Sequence, residues 1–294
     1  MSGVLRHVHF TSDLQTFIHR TCIIMSPASL PSLDSEQKTY EFIAAGTVSM
    51  IYALSDDCVL KRRPRSNDSF ALSAHNIEKS AYKRLGSHPR IARCHAITSD
   101  GLVLERGDCL REILRSPHKR VDLHTRLQWA LETAEGLRYI HEQNIIHADV
   151  GCHNLLIDRS GHIKFIDFAG SGLDGNEALV CYEWCSYRPG STPDIKTDIF
   201  AFGSTLFEIE SGNSPFHELQ GVLEPCELLR RAEQLFAAKR FPDVEMLQLK
   251  HVITRCWNGD YTSMADVVDD TAACCQKAAP RMASPYTCFH HKEV

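Results

Sequence analysis

The 294-residue chain has no run of about 18 apolar residues, the length a helix needs to cross a bilayer, so a membrane-spanning helix is excluded. Its net charge is only -5 at pH 7, which provides no general field for drawing in nucleic acid or an anionic membrane surface. There is no internal repeat, so a solenoid or propeller is not expected. Twelve cysteines are present but no C-x-x-C: Cys181 and Cys185 are a lone pair, and Cys274 and Cys275 are adjacent. A structural zinc site therefore has no footing, and the thiols read as reduced, as in the cytoplasm or nucleus. Cys288 near His290 and His291 reads as part of a solvated tail rather than a metal site. What is present is an ordinary globular composition, 43% hydrophobic and 23% charged, on a chain long enough for one large or two modest domains.

Residues 1–36 show no sustained helical or strand period and end in the Ser/Pro-rich stretch Ser26 to Ser35, which predicts a disordered tail. Arginine is too sparse there, and the apolar residues too irregular, to favour a transit peptide. Residues 281–294 read as a C-terminal tail.

Between the tails, the most informative stretch is His147 to Gly172. Asn154–Asp158 and Ile163–Asp167 are short apolar strand candidates joined by Arg159-Ser-Gly161, a hairpin turn. A hairpin returns its second strand beside its first, so Asn154 and Asp167 share one open end with Asp149 a loop away. A carboxamide and a carboxylate converging there are hard oxygen donors of the kind a magnesium ion carrying a nucleotide phosphate requires. Asp149 is left to accept a proton. A lone D-x-x-x-x-N carries little weight, because Asp and Asn cap helices and open turns everywhere. Here, however, the Asp149-to-Asn154 spacing and the following Asp167-Phe168 resemble the H-R-D-x-x-x-x-N and D-F-G signatures of the eukaryotic protein kinases.

The resemblance runs from about residue 37 to about residue 275. Near Gly46 a strand, a turn and a returning strand occupy the place of the glycine-rich loop, with Ala44, Gly46 and Ser49 at its glycine positions and Ile51 at its valine. Cys58-Val-Leu-Lys61 resembles the lysine-bearing third strand. Glu78, on a helix read over Asn76–Leu85, takes the place of that lysine's ion-pair partner. Leu104 and Glu105 stand at the entry to the hinge. Residues 122–142 form an amphipathic helix capped by Asp122, an ordinary core element. The apolar stretch Asp198 to Phe216 and the pair Cys256-Trp257 match elements of protein kinases rather than of small-molecule phosphotransferases, and Gly203 inside the former predicts close backbone packing.

The resemblance implies an α+β, bilobal fold: a small β-rich N-lobe with one main helix over residues 37–106, and a larger, mostly helical C-lobe over 107–280. It implies ATP and Mg2+ as cofactors, with Lys61 and Glu78 orienting ATP, Asp149 as catalytic base and Asn154 and Asp167 as metal ligands. Ala44, Gly46, Ser49, Ile51, Leu104 and Glu105 would line the nucleotide site. The activity implied is transfer of the γ-phosphate to a protein hydroxyl, serine or threonine in preference to tyrosine. The alternative is a pseudokinase scaffold, suggested by the departures: one glycine in the loop, Ala148 for the arginine beside the base, Ala169 after Phe168, and Arg188-Pro-Gly190 for A-P-E. Gly151 replaces the lysine of many Ser/Thr kinases, and His153 stands where tyrosine kinases place an arginine. Alanine at 148 cannot receive a phosphate, and Asp174, Glu177 and Glu183 are expected to repel one. Activity is therefore expected not to need a phosphorylated activation segment. The implied partner is a protein substrate, and the oligomeric state is not written in the motifs.

Overall fold

The computed structural model describes residues 40–278 apart from Thr47, residues 64–67 and Cys181, so the two tails read from the sequence lie outside the described residues. Strands β1 (Glu41–Ala45), β2 (Met50–Ala53), β3 (Cys58–Arg62), β4 (Cys94–Ile97) and β5 (Gly101–Glu105) form one antiparallel sheet in the order β1-β2-β3-β5-β4. The turn between β1 and β2 closes with Gly46 N donating to Ser49 O at 2.8 Å. Register carries the functional information. Ile51 pairs with Lys61 and Lys61 with Leu102, while Ala53 pairs with Val59 and Val59 with Leu104. Directly opposed residues share a face, so all six line up on one side of the sheet.

Helix α1 (Ser69–Leu85) shares a buried core with Leu102 and Leu104 of this sheet. It starts seven residues earlier than the sequence pattern suggested, because Asp68 caps it through Phe70 N and the small residues Ala71 and Ala74 extend its buried stripe toward the N-terminus. Glu78, Ala81, Tyr82 and Leu85 complete that stripe. A carboxylate in an otherwise apolar stripe needs a partner, and this one finds it on β3 of the same sheet.

The remainder is mostly helical. After β6 (Asp108–Cys109) come α2 (Leu110–Arg115), α3 (Leu123–Glu142), β7 (Ile145–Ile146), β8 (Leu155–Ile157), β9 (Ile163–Phe165) and β10 (Gly172–Leu173), then α4 (Ile195–Ser211), α5 (Pro225–Ala237), α6 (Lys250–Asn258) and α7 (Met264–Ala278). The expected hairpin is present: Leu155 opposes Phe165 and Ile157 opposes Ile163. Asp122 caps α3 through Thr125 N, as its position predicts. Helix α4 is buried almost all round and packs on α6. The close approach expected at Gly203 is there, since a Cβ at that position would lie 2.7 Å from Cys256 Cβ. A β-rich N-terminal part and a helical C-terminal part thus make up the α+β, bilobal arrangement that the motifs implied.

Candidate active site

The site is assembled where the sheet faces the β8–β9 hairpin. Lys61, buried on β3, donates from Nζ to Glu78 Oε1 at 2.6 Å and to Asp167 Oδ1 at 2.7 Å. One ammonium therefore ties α1, the sheet and the residue closing the hairpin. Burial would lower the Lys61 pKa, but Asp167 and Glu78 outweigh it and hold the amine charged. Burial pushes Glu78 up to about 6 against the pull of Lys61, and Lys61 keeps the half-exposed Asp167 below the usual carboxylate range against the desolvation around it. Two carboxylates on one amine leave excess negative charge facing the cleft.

Asp149 and Asn154 meet as their spacing requires. Asn154 Nδ2 donates to Asp149 Oδ2 and to its backbone oxygen, both at 2.9 Å. The amide nitrogen is thereby committed to Asp149, and the amide oxygen is the atom left for a cation. His153, in the 3-10 turn Cys152–Asn154, has Nε2 3.2 Å from Asp149 Oδ2 and Nδ1 3.3 Å from Glu183 Oε2. Burial opposes its charge, but Glu183 and Asp149 raise its pKa well above the ordinary histidine value.

The surrounding loop is held in a strained shape. Ala148 (φ 65°) and Asp167 (φ 61°) both occupy left-handed backbone, which costs a non-glycine residue about 1–2 kcal/mol. Asp198, fully buried at the start of α4, offsets that cost. It accepts from His147 N at 2.9 Å, Ala148 N at 3.0 Å and the Tyr182 hydroxyl at 2.8 Å, and it lies 2.8 Å from His141 Nε2. Phe168 is fully buried between Tyr82 and His147, each ring centroid 5.2 Å away. Tyr82 lies one turn beyond Glu78 on α1, so the Phe168 contact fixes the helix that presents Glu78 to Lys61.

Of the residues expected to line a nucleotide site, Ile51 and Leu104 lie on the Lys61 face of the sheet. Ser49 is buried, while Ala44 and Gly46 are exposed at the turn above. Glu105 turns its carboxylate to accept from Arg93 N at 2.9 Å, and its own N–H donates to Arg93 O at 2.9 Å. Ala53 and Val59 were not singled out from the sequence. The period-2 alternation of β2 and β3 was the signal that placed them beside Ile51 and Lys61.

The activation segment differs from expectation. Asp174 and Glu183 do not stand as bare charges facing an incoming phosphate, because Arg84 binds Asp174 at 2.7 and 2.6 Å and Arg111 binds Glu183 at 2.7 Å through both its oxygens. Glu177 alone of the three is exposed without such a clamp. Ser171, Tyr182 and Ser186 are buried, which takes them out of reach of a modifying enzyme in this conformation. The arginine partners sit outside the catalytic motifs, 72 and 90 residues away in sequence, so spacing gave no sign of them.

With this geometry in view, the comparisons with known proteins agree. The family model of protein tyrosine and serine/threonine kinases matches residues 46–267, and the chain belongs to that family. It is 30% identical over 212 residues to a probable serine/threonine-protein kinase of Dictyostelium discoideum, covering 65% of this chain and 13% of the relative. It is 28% identical over 208 residues to the dual serine/threonine and tyrosine protein kinase of Gallus gallus, covering 63% of this chain and 21% of the relative. A serine/threonine/tyrosine-protein kinase of Arabidopsis thaliana is 25% identical over 175 residues, covering 54% of this chain and 43% of the relative. The chain spans less than half the length of each of these relatives.

Proposed function

We propose that the chain is a magnesium- and ATP-dependent protein kinase that phosphorylates serine or threonine in preference to tyrosine. The observation that carries this reading is the simultaneous engagement of Lys61 by Glu78 at 2.6 Å and by Asp167 at 2.7 Å, since a scaffold has no need to hold a buried ammonium between two lobes. The donor set fits the implied group: Mg2+ prefers oxygen, and one or two carboxylates suffice because it keeps several waters. Asp167 and Asn154 would hold it, where it would neutralise charge on the phosphates. Lys61 would orient the α- and β-phosphates, with Glu78 fixing the amine. Asp149, positioned by Asn154, would take the proton of the acceptor hydroxyl. Ala44, Gly46, Ser49, Ile51, Leu104 and Glu105 would enclose the nucleotide, in a lobe spanning 37–106 that meets its partner lobe, 107–280, near the hinge. The acceptor preference rests on relatives whose names include serine/threonine kinases. Nine described cysteines are free, in keeping with a place in the cytoplasm or nucleus.

Mg-ATP at 100 times its dissociation constant is expected to stabilise the protein by about 2.7 kcal/mol. Asp167→Asn should lose the part of that gain which depends on magnesium. An unchanged melting temperature with saturating Mg-ATP contradicts the reading.

Control is expected to be independent of activation-segment phosphorylation, because Ala148 offers no receiving cation and Arg84 and Arg111 are already occupied. Phosphatase-treated protein should match untreated protein in rate. A tenfold or greater drop, restored by phosphate on a residue between 171 and 187, would overturn this.

A further inference from the structure

We propose that His153 is a positioning residue for phosphoryl transfer: its imidazole braces the Asp149 carboxylate against Glu183, and residue 151 is glycine to leave that imidazole room. The proposal rests on the kinase reading above. Its first support is a continuous line of side-chain contacts. Asp149 Oδ2 lies 3.2 Å from His153 Nε2, and His153 Nδ1 lies 3.3 Å from Glu183 Oε2, a close contact outside hydrogen-bond geometry. Glu183 cannot drift, because Arg111 holds both its oxygens at 2.7 Å. The guanidinium of Arg111 also binds both oxygens of Glu208 at 2.8 Å. Glu208 is buried on α4, the most enclosed helix of the fold. The reacting carboxylate is thereby tied through an imidazole, a carboxylate and a guanidinium to a fixed point in the core. Remove the imidazole, and the Asp149 carboxylate loses the group that packs between it and Glu183 and ties it to the core.

The second support is Gly151. Its backbone is extended (φ -179°, ψ 161°), a conformation open to any residue, so nothing in the chain path calls for glycine. The requirement is spatial: a Cβ there would lie 2.6 Å from both Cε1 and Nδ1 of His153. Residue 151 is thus small because residue 153 is where it is. The two positions act as one unit, and displacement of a reacting group by about 1 Å can cost 10²-fold in rate.

The test compares kcat and the KM for ATP in wild type, His153→Ala, Gly151→Ala and the double variant, with melting temperature and Mg-ATP affinity measured on each. His153→Ala should lower kcat by about tenfold to a hundredfold while KM for ATP stays within about twofold. Gly151→Ala, which deletes no contact, should lose a similar amount with His153 still present. It also keeps the test in hand if His153→Ala does not fold. The double variant should be no slower than the slower single, the non-additivity of residues that work as a unit. A kcat for His153→Ala within twofold of wild type overturns the proposal, as does a double variant whose loss is the product of the two single losses. In either case an active wild type leaves the kinase reading standing. A wild type that binds Mg-ATP but transfers nothing removes both.

Discussion

Replacing Asp198 with alanine is expected to cost about 4–5 kcal/mol of folding stability, a large share of the 5–15 kcal/mol that holds a typical protein folded. The carboxylate is fully buried and serves three donors within 3.0 Å: His147 N, Ala148 N and the Tyr182 hydroxyl, with His141 Nε2 also 2.8 Å away. Each buried donor left without a partner costs about 1–3 kcal/mol, and with three donors orphaned together a total of about 4–5 kcal/mol follows even where the terms overlap. In a domain of this size 1 kcal/mol shifts the melting temperature by about 2–4 °C, which predicts a fall of about 8–20 °C. Asp198→Asn keeps one acceptor but sets an N–H group against backbone donors, so it should recover only part of the loss. The same carboxylate holds Ala148 in left-handed backbone, so the catalytic loop should open before the rest of the C-terminal half. A thermal melt checks this directly, and a fall of less than 3 °C for Asp198→Ala would mean that the loop has another anchor.

Much of the site could be read in the sequence because its parts are close together in the chain. Asp149 and Asn154 share one loop, and the Asn154–Asp167 hairpin brings its ends together by local geometry alone. Lys61 and Glu78 were legible through resemblance rather than through physics, since no local rule brings a strand lysine to a helix glutamate. The N-terminal half of α1 escaped notice because alanines make a weak stripe, although Asp68 was the signal for its start. The clamps on the activation segment were illegible for a different reason. Arg84 reaches Asp174 across 90 residues, and Arg111 reaches Glu183 across 72, through surfaces that meet only once the helical half has packed. Acids that looked like repelling charges in the sequence are structural partners in the fold. Asp198 shows the same limit: the sequence marked it only as the start of an apolar, kinase-like stretch, and its bonds to His147 N, Ala148 N and Tyr182 appear only in the fold.

The central claim is that this cleft moves a phosphoryl group with Asp149 as the base, and the most direct measurement is transfer of labelled γ-phosphate from ATP by wild type and Asp149→Asn side by side. Asparagine keeps the size of the side chain and an oxygen to accept from Asn154 Nδ2, so Mg-ATP affinity should change by less than about threefold. It removes the charge and the basicity, and a positioned base contributes about 10²- to 10⁴-fold, so turnover should fall by that factor. Transfer by wild type with a loss of at least about a hundredfold in the variant is the predicted result. Equal rates in the two proteins would show that Asp149 is not the base, and nucleotide binding without transfer in either would make the chain a scaffold.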